Sequence, residues 1–120
     1  MTKDCVFCEI VNGKLPSTKE FENEKIVAFR DINPVAPVHV LIVPKKHITT
    51  LAEAGNGDKD LLGEVLLVAS NLAKKLQISD AFRVLNANGE KAGQTVPHIH
   101  FHLIGGWKKR ILEGFLPKLS

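Results

Sequence analysis

The 120-residue chain predicts an α+β fold, an antiparallel sheet of about five strands covered by one long helix and preceded by a short N-terminal helix. Three observations carry this. The strand-like runs fall into a group of three and a group of two, joined mainly by short turns, which favours antiparallel pairing over parallel crossovers. Only the segment from Asp58 to about Leu76 has the length and period of a substantial helix. No repeat, low-complexity tract or linker divides the chain, and this length suits one domain spanning 1–120, with a tail from about 107.

The elements follow in order. In Cys5-Val6-Phe7-Cys8-Glu9-Ile10-Val11, apolar residues at 6, 7, 10 and 11 share one face of a short helix, which Asn12-Gly13 ends in a left-handed turn. Ser17 to Phe21 is a short strand, Glu22-Asn23-Glu24 a tight turn, and Lys25 to Asp31 a half-buried strand by its alternation. Asn33-Pro34 and Ala36-Pro37 break regular structure. Val38 to Val43 is apolar enough for the centre of the sheet, and Pro44 stops it. Ile48 to Ala54 predicts a short helix and Gly55-Asn56-Gly57 a turn. The long helix carries its apolar stripe at 61, 62, 65, 66, 69, 72, 73 and 76, with Asp58 as N-cap and Lys74-Lys75 complementing the C-terminal dipole. Ala81 to Asn86 is the next strand, and Asn86 to Gln94 a polar loop holding Gly89 and Gly93. That loop is either an anion cradle of backbone N–H groups or a plain hairpin connection. Thr95 opens the last strand.

Composition narrows the function classes. With 44% hydrophobic and 24% charged residues, the chain reads as an ordinary soluble domain. No apolar run approaches the ~20 residues that cross a membrane, so no membrane partner is expected. Met1-Thr2-Lys3-Asp4 lacks the apolar run of a secretory signal, and a cytoplasmic location is expected. The net charge of +3 suits an anionic small molecule, although a Lys-rich solvated surface explains it more simply. No specific nucleic-acid partner is expected.

The chemistry concentrates in Val96-Pro97-His98-Ile99-His100-Phe101-His102-Leu103-Ile104. Three of the five histidines stand here at every second position. On a strand, same-face neighbours repeat every ~6.5 Å, so His98, His100 and His102 form a row while Ile99, Phe101 and Leu103 pack elsewhere. Imidazoles are poor core material, because each ring nitrogen needs a partner and the charge changes near neutral pH. The row serves either as metal ligands or as a nucleophile with oriented partners. His39, inside an apolar strand, is a satisfied core histidine or a hydrogen-bond partner of that row. Cys5 and Cys8 are the only cysteines. In a reducing compartment they are either two small buried thiols or half of a zinc site that histidines, His47 and His98 being the candidates, must complete.

His98-Ile99-His100-Phe101-His102-Leu103-Ile104 resembles the signature of the histidine triad (HIT) family, His-φ-His-φ-His-φ-φ with φ apolar. Cys5 to Ile10, Ala28 to Pro34, Ala36 to His47 and Gly93-Gln94-Thr95 resemble segments of its Hint branch in the same order, from Cys5 to about Gly106. The resemblance implies the HIT fold, with sheets joined across a two-fold homodimer. It implies a nucleotidyl-histidine enzyme with His100 as nucleophile, assisted by His98, His102 and His39, and needing no metal for chemistry. Phe7, Ile10, Phe29 and Ile32 match positions lining a purine slot, Asp31 the carboxylate that accepts from ribose hydroxyls, and Asn86 a residue near the phosphate. Backbone groups around Gly93 and the side chains of Gln94 and Thr95 are expected to stabilise developing charge. A Cys5, Cys8, His47, His98 set binds structural zinc in some members.

Three departures stand out. Thr95 replaces a common Ser, the Asn86-to-Gly93 loop is about one residue longer than in some members, and the tail Trp107-Lys108-Lys109-Arg110-Ile111-Leu112 differs from the Hint ending that influences leaving-group choice. The expected function is hydrolysis of purine nucleoside 5′-monophosphoramidates, or related AMP-like conjugates, at the α-phosphorus. The alternative is a purine nucleotide-binding scaffold with little catalysis. Metal-dependent hydrolysis by the histidine row is weaker, since no carboxylate lies near it in sequence.

Overall fold

In the computed structural model, residues 5–111 are described. The elements are α1 (Val6–Val11), β1 (Lys19–Glu22), β2 (Ile26–Arg30), β3 (Val38–Pro44), α2 (Lys59–Lys75), β4 (Phe82–Leu85) and β5 (Phe101–Gly105). The five strands form one antiparallel sheet in the order β1-β2-β3-β5-β4. The expected α+β class and strand count hold.

Alternation along the two central strands builds two cores. Ile26, Ala28, Val40 and Ile42 point to the face covered by α2, where they meet Val65, Val68, Ala69 and Leu72, with Ile99, Phe101 and Leu103 from the triad segment. Val27, Phe29, Leu41 and Val43 point the other way and pack with Phe7, Cys8 and Ile10 of α1. β2 is therefore buried on both faces rather than half-buried. Alternation alone does not show this, because the second face is covered by α1, which packs on Val27 and Phe29.

Local signals explain the ends. Gly13 takes φ +75°, which closes α1 as Asn12-Gly13 predicts. Asn23 Oδ1 accepts from the N–H groups of Lys25 and Ile26, an Asx turn that returns the chain into β2. Asp58 departs from expectation. Its carboxylate accepts from Gly55 N (2.9 Å) and Lys46 Nζ (2.6 Å), so the side chain braces the turn before α2 instead of capping α2. Ile48 to Ala54 yields only a 3-10 turn over Leu51–Glu53. On α2 the buried arc includes Val68 and leaves Leu66 55% exposed, because the helix sits on β3 through residues 65, 68, 69 and 72.

The largest revision concerns the last strand. β5 starts at Phe101, not at Thr95, and His98 lies in a bend before it. Pro97 and the tie of Ile99 N to Ile48 O (2.6 Å) take this stretch out of the ladder. The tail from Leu112 onward lies outside the described residues.

Candidate functional site

All three histidines of the triad segment are fully or nearly fully buried, as is His39. His102 stands on β5 opposite Leu41 of β3, and His39 on β3 opposite Ile104. Both therefore point to the α1 side of the sheet. His100 joins them there, its ring centroid 5.1 Å from that of His102 and 4.9 Å from Phe7, edge-on in both cases.

Each ring is held in one tautomer by its partners. His100 Nδ1 lies 2.7 Å from the backbone oxygen of His98, so Nδ1 carries the proton and Nε2 the lone pair. Val35 N–H donates to His39 Nδ1 (3.1 Å), which puts the His39 proton on Nε2. That nitrogen donates to His102 Nδ1 at 2.9 Å, so the His102 proton sits on Nε2. Asp31 Oδ2 lies 3.4 Å from the same His39 nitrogen. Burial draws the His39 pKa below its ordinary value, against the pull of the Asp31 charge, and keeps the ring neutral.

His98 belongs to a second cluster. Its Nε2–H donates to Pro44 O (2.7 Å), leaving Nδ1 as an acceptor 3.3 Å from Cys5 Sγ and 3.4 Å from Cys8 Sγ. His47 Nδ1 lies 3.1 Å from Cys8 Sγ. Burial lowers the His98 pKa to about 4, helped by His47 and His100 and opposed by the Pro44 carbonyl, so its lone pair stays available. The four donor atoms lie within 4.8 Å of one another. Donors around a tetrahedral zinc, at Zn–S and Zn–N bond lengths, stand about 3.4–3.8 Å apart, so this S2N2 set fits the ion with small adjustment. The Pro44 carbonyl is the outer partner that such a histidine ligand needs. The exposed His47 ring gives an entry path.

Beside the histidines opens a cavity of about 600 Å³, lined by Phe7, Ile10, Phe29, Asp31 and Ile32 among others. Phe7 connects the two places, since it lines the cavity and packs on His100. Phe7, Ile10 and Phe29 are buried walls, whereas Ile32 is 92% exposed at the rim. The sequence reading missed Val96, Ser17 and Thr18, which also line the cavity. Val96 shares the parity of the histidines, and that signal was available.

The loop from Asn86 to Gln94 takes a bracing role. The N–H groups of Ala92 and Gly93 and that of Gln94 bond to loop carbonyls, and Gly89 N–H donates to Gln94 Oε1. Gln94 Nε2 donates to Thr49 O and Val96 O. In this structure the Gly93 N–H and the Gln94 side chain, expected to stabilise developing charge, bond within the protein. Thr95 is exposed. Asn86 Nδ2 donates to His100 O (2.9 Å), so this residue steadies the backbone of the central histidine. A second cavity of about 530 Å³ is lined by Phe82, Arg83 and the tail residues Trp107 to Ile111.

Comparisons with known proteins agree with this geometry. Residues 12–109 match the HIT domain family. The chain is 45% identical over 103 residues to a 14 kDa zinc-binding protein of Zea mays, covering 84% of this chain and 80% of that protein. It is 42% identical over 103 residues to the adenylylsulfatase HINT1 of Arabidopsis thaliana, covering 84% of this chain and 70% of that protein. A HIT family hydrolase from Legionella pneumophila superposes with a TM-score of 0.85 at 44% identity, covering 87% of this chain and 94% of the other.

Proposed function

The chain belongs to the histidine triad family, and on that premise we propose that it is a hydrolase of purine nucleoside 5′-phosphoramidates and related AMP-like conjugates. The observation that carries this reading is the His100 ring, whose Nδ1–H is given to the His98 carbonyl at 2.7 Å, so that Nε2 is the unprotonated nitrogen, and which packs edge-on against Phe7 of the cavity wall.

The purine lies between Phe7, Ile10 and Phe29 with Ile32 at the rim, and Asp31 accepts from the ribose hydroxyls. His100 Nε2 attacks the α-phosphorus, the bond to the leaving amine breaks as its nitrogen takes a proton from solvent, and a nucleotidyl-histidine forms; the proton is returned when water attacks in the second step. Water then attacks the phosphorus, releasing the nucleoside monophosphate and restoring His100. His102 Nε2–H donates to a phosphate oxygen, and the His39 proton keeps His102 in that tautomer. The Thr95 hydroxyl is proposed to hydrogen-bond the leaving group, as the family resemblance implies, and Asn86 steadies the His100 backbone. No metal takes part in these steps. Structural zinc at Cys5, Cys8, His47 and His98 ties α1 to the segment before β5, a reading that the zinc-binding relative supports.

A homodimer belongs to the same proposal. Leu66 and Leu67 stand exposed on α2, and β4 lies at a sheet edge where a second copy can continue the sheet.

The test is hydrolysis of a fluorogenic adenosine phosphoramidate by wild type and His100→Ala, with intact-protein mass recorded for an adenylyl adduct. Turnover and a trapped adduct in wild type, with the variant reduced by several powers of ten yet still binding AMP, support the reading. Tight AMP binding without turnover or adduct sinks it in favour of a nucleotide-binding scaffold.

A further inference from the structure

The cysteine–histidine cluster and the catalytic histidine share one peptide unit. The peptide between His98 and Ile99 offers its oxygen to His100 Nδ1 at 2.7 Å and its N–H to Ile48 O at 2.6 Å. Each end of that clamp leads back to the cluster. On the oxygen side, the ring of His98 itself is a cluster member, with both nitrogens tethered, one to Pro44 O and the other toward Cys5 and Cys8. On the N–H side, Ile48 directly follows His47, whose ring meets Cys8 and packs edge-on against His98 with centroids 4.8 Å apart. The peptide sits in a bend before β5, so the sheet ladder does not hold it. It is restrained by those two hydrogen bonds and by the neighbouring bond of His98 N to Val96 O at 2.8 Å, and two of the three involve residues beside or within the cluster.

We propose that Cys5, Cys8 and His47 are positioning residues for the reaction, and that zinc at their cluster with His98 sets the orientation and tautomer of His100 through the His98–Ile99 peptide. A ligand that pulls the His98 ring and the His47–Ile48 segment to one centre tightens both ends of the clamp. The His98 oxygen then stays in line with His100 Nδ1, and the proton stays on that nitrogen. Without the ion, the cluster side of the His98 ring and the His47 ring are tied by hydrogen bonds to thiols, which are weak donors and acceptors, while His98 Nε2 keeps its bond to Pro44 O. The His98 oxygen then samples positions that admit the other His100 tautomer, in which the proton sits on Nε2 and the ring cannot attack. This inference rests on His100 as nucleophile for its kinetic part, but its structural part is independent of turnover.

The experiment uses the full chain labelled with 15N-histidine, stripped of metal with a chelator and then given one equivalent of zinc. Long-range 1H–15N correlation reads the tautomer of each ring, and the phosphoramidate assay reads kcat and KM on the same samples. The expected result has two parts. Zinc shifts the His98 Nδ1 signal and converts His100 from a mixture to a single Nδ1–H form. At the same time kcat rises about tenfold or more with little change in KM, the scale at which outer partners of a metal ligand act.

Cys8→Ser and the exposed His47→Ala each remove one ligand. In them His100 stays mixed and kcat stays at the metal-free level of wild type. His47→Ala is the safer of the two for folding, since that ring lies outside both apolar cores. Zinc that shifts His98 but leaves the His100 signals and kcat unchanged overturns the proposal, as does a failure of the chain to bind zinc. Turnover that survives in His100→Ala overturns the nucleophile reading instead, whatever the nitrogen spectra report on the clamp.

Discussion

His39 shows how much a single residue can decide. Its two nitrogens link Val35 N–H to His102, and through that link the proton of His102 is placed on Nε2. His39→Ala removes one hydrogen bond to a group that meets charge, an effect of about 1.5–3 kcal/mol, or roughly 10- to 150-fold. That loss is expected in kcat of the phosphoramidate reaction, with KM little changed. The same ring makes stability depend on pH. Its folded pKa lies below the ordinary value because burial outweighs the Asp31 charge, with His102 as its other close neighbour. As pH falls through about 6.5 the unfolded chain takes up the proton first. The stability contributed by the neutral ring is therefore present above that pH and shrinks below it. Urea midpoints are expected to drop between about pH 7.5 and 5.5, and His39→Gln to flatten the drop. At this scale the residue types were legible in the sequence, but the tautomers were not. A proton's place depends on which carbonyl or N–H lies opposite, and those partners come from other elements.

Among the elements, the approach to β5 and its exit position the face that carries the histidines. The exit is tight. A Cβ at Gly105 would meet Ile78 Cδ1 at 2.8 Å and Ala81 O at 3.0 Å, so the chain from α2 to β4 presses directly on β5. Gly105→Ala is expected to destabilise the protein by about 1–3 kcal/mol, measured by denaturant unfolding, because a backbone oxygen cannot move aside as a side-chain tip can. A result near zero would mean that β4 is free to slide. The entry is looser, with His98 and His100 outside the ladder. Alternation placed the three histidines and their apolar neighbours correctly by parity, and α2, α1 and the central strand were legible from their periods. Strand limits were not. A residue joins a ladder only when a partner strand offers its groups in register, and Ile48 takes the N–H of Ile99 first.

For the whole molecule, the sheet divides the labour. The α2 side is apolar core, while the α1 side carries the histidines, the zinc-type cluster and the cavity. Leu66 and Leu67, 55% and 66% exposed, are more apolar surface than α2 needs toward solvent. Leu67→Glu is therefore expected to shift the protein from dimer to monomer in analytical ultracentrifugation while leaving the fold intact by circular dichroism. A monomeric wild type would end the dimer reading. No described helix is long and apolar enough to cross a membrane. By itself the sequence determined the fold class, the parity of the histidine stretch and the family, because side-chain direction along an extended chain is a local property and the His-φ-His-φ-His pattern is written in adjacent residues. Only the tertiary structure decided that Cys5 meets His98 across 93 positions, that His39 meets His102 across 63, and that one peptide joins the cluster to His100. Those contacts depend on how α1, β3 and β5 pack together, and no local pattern encodes a distance between elements.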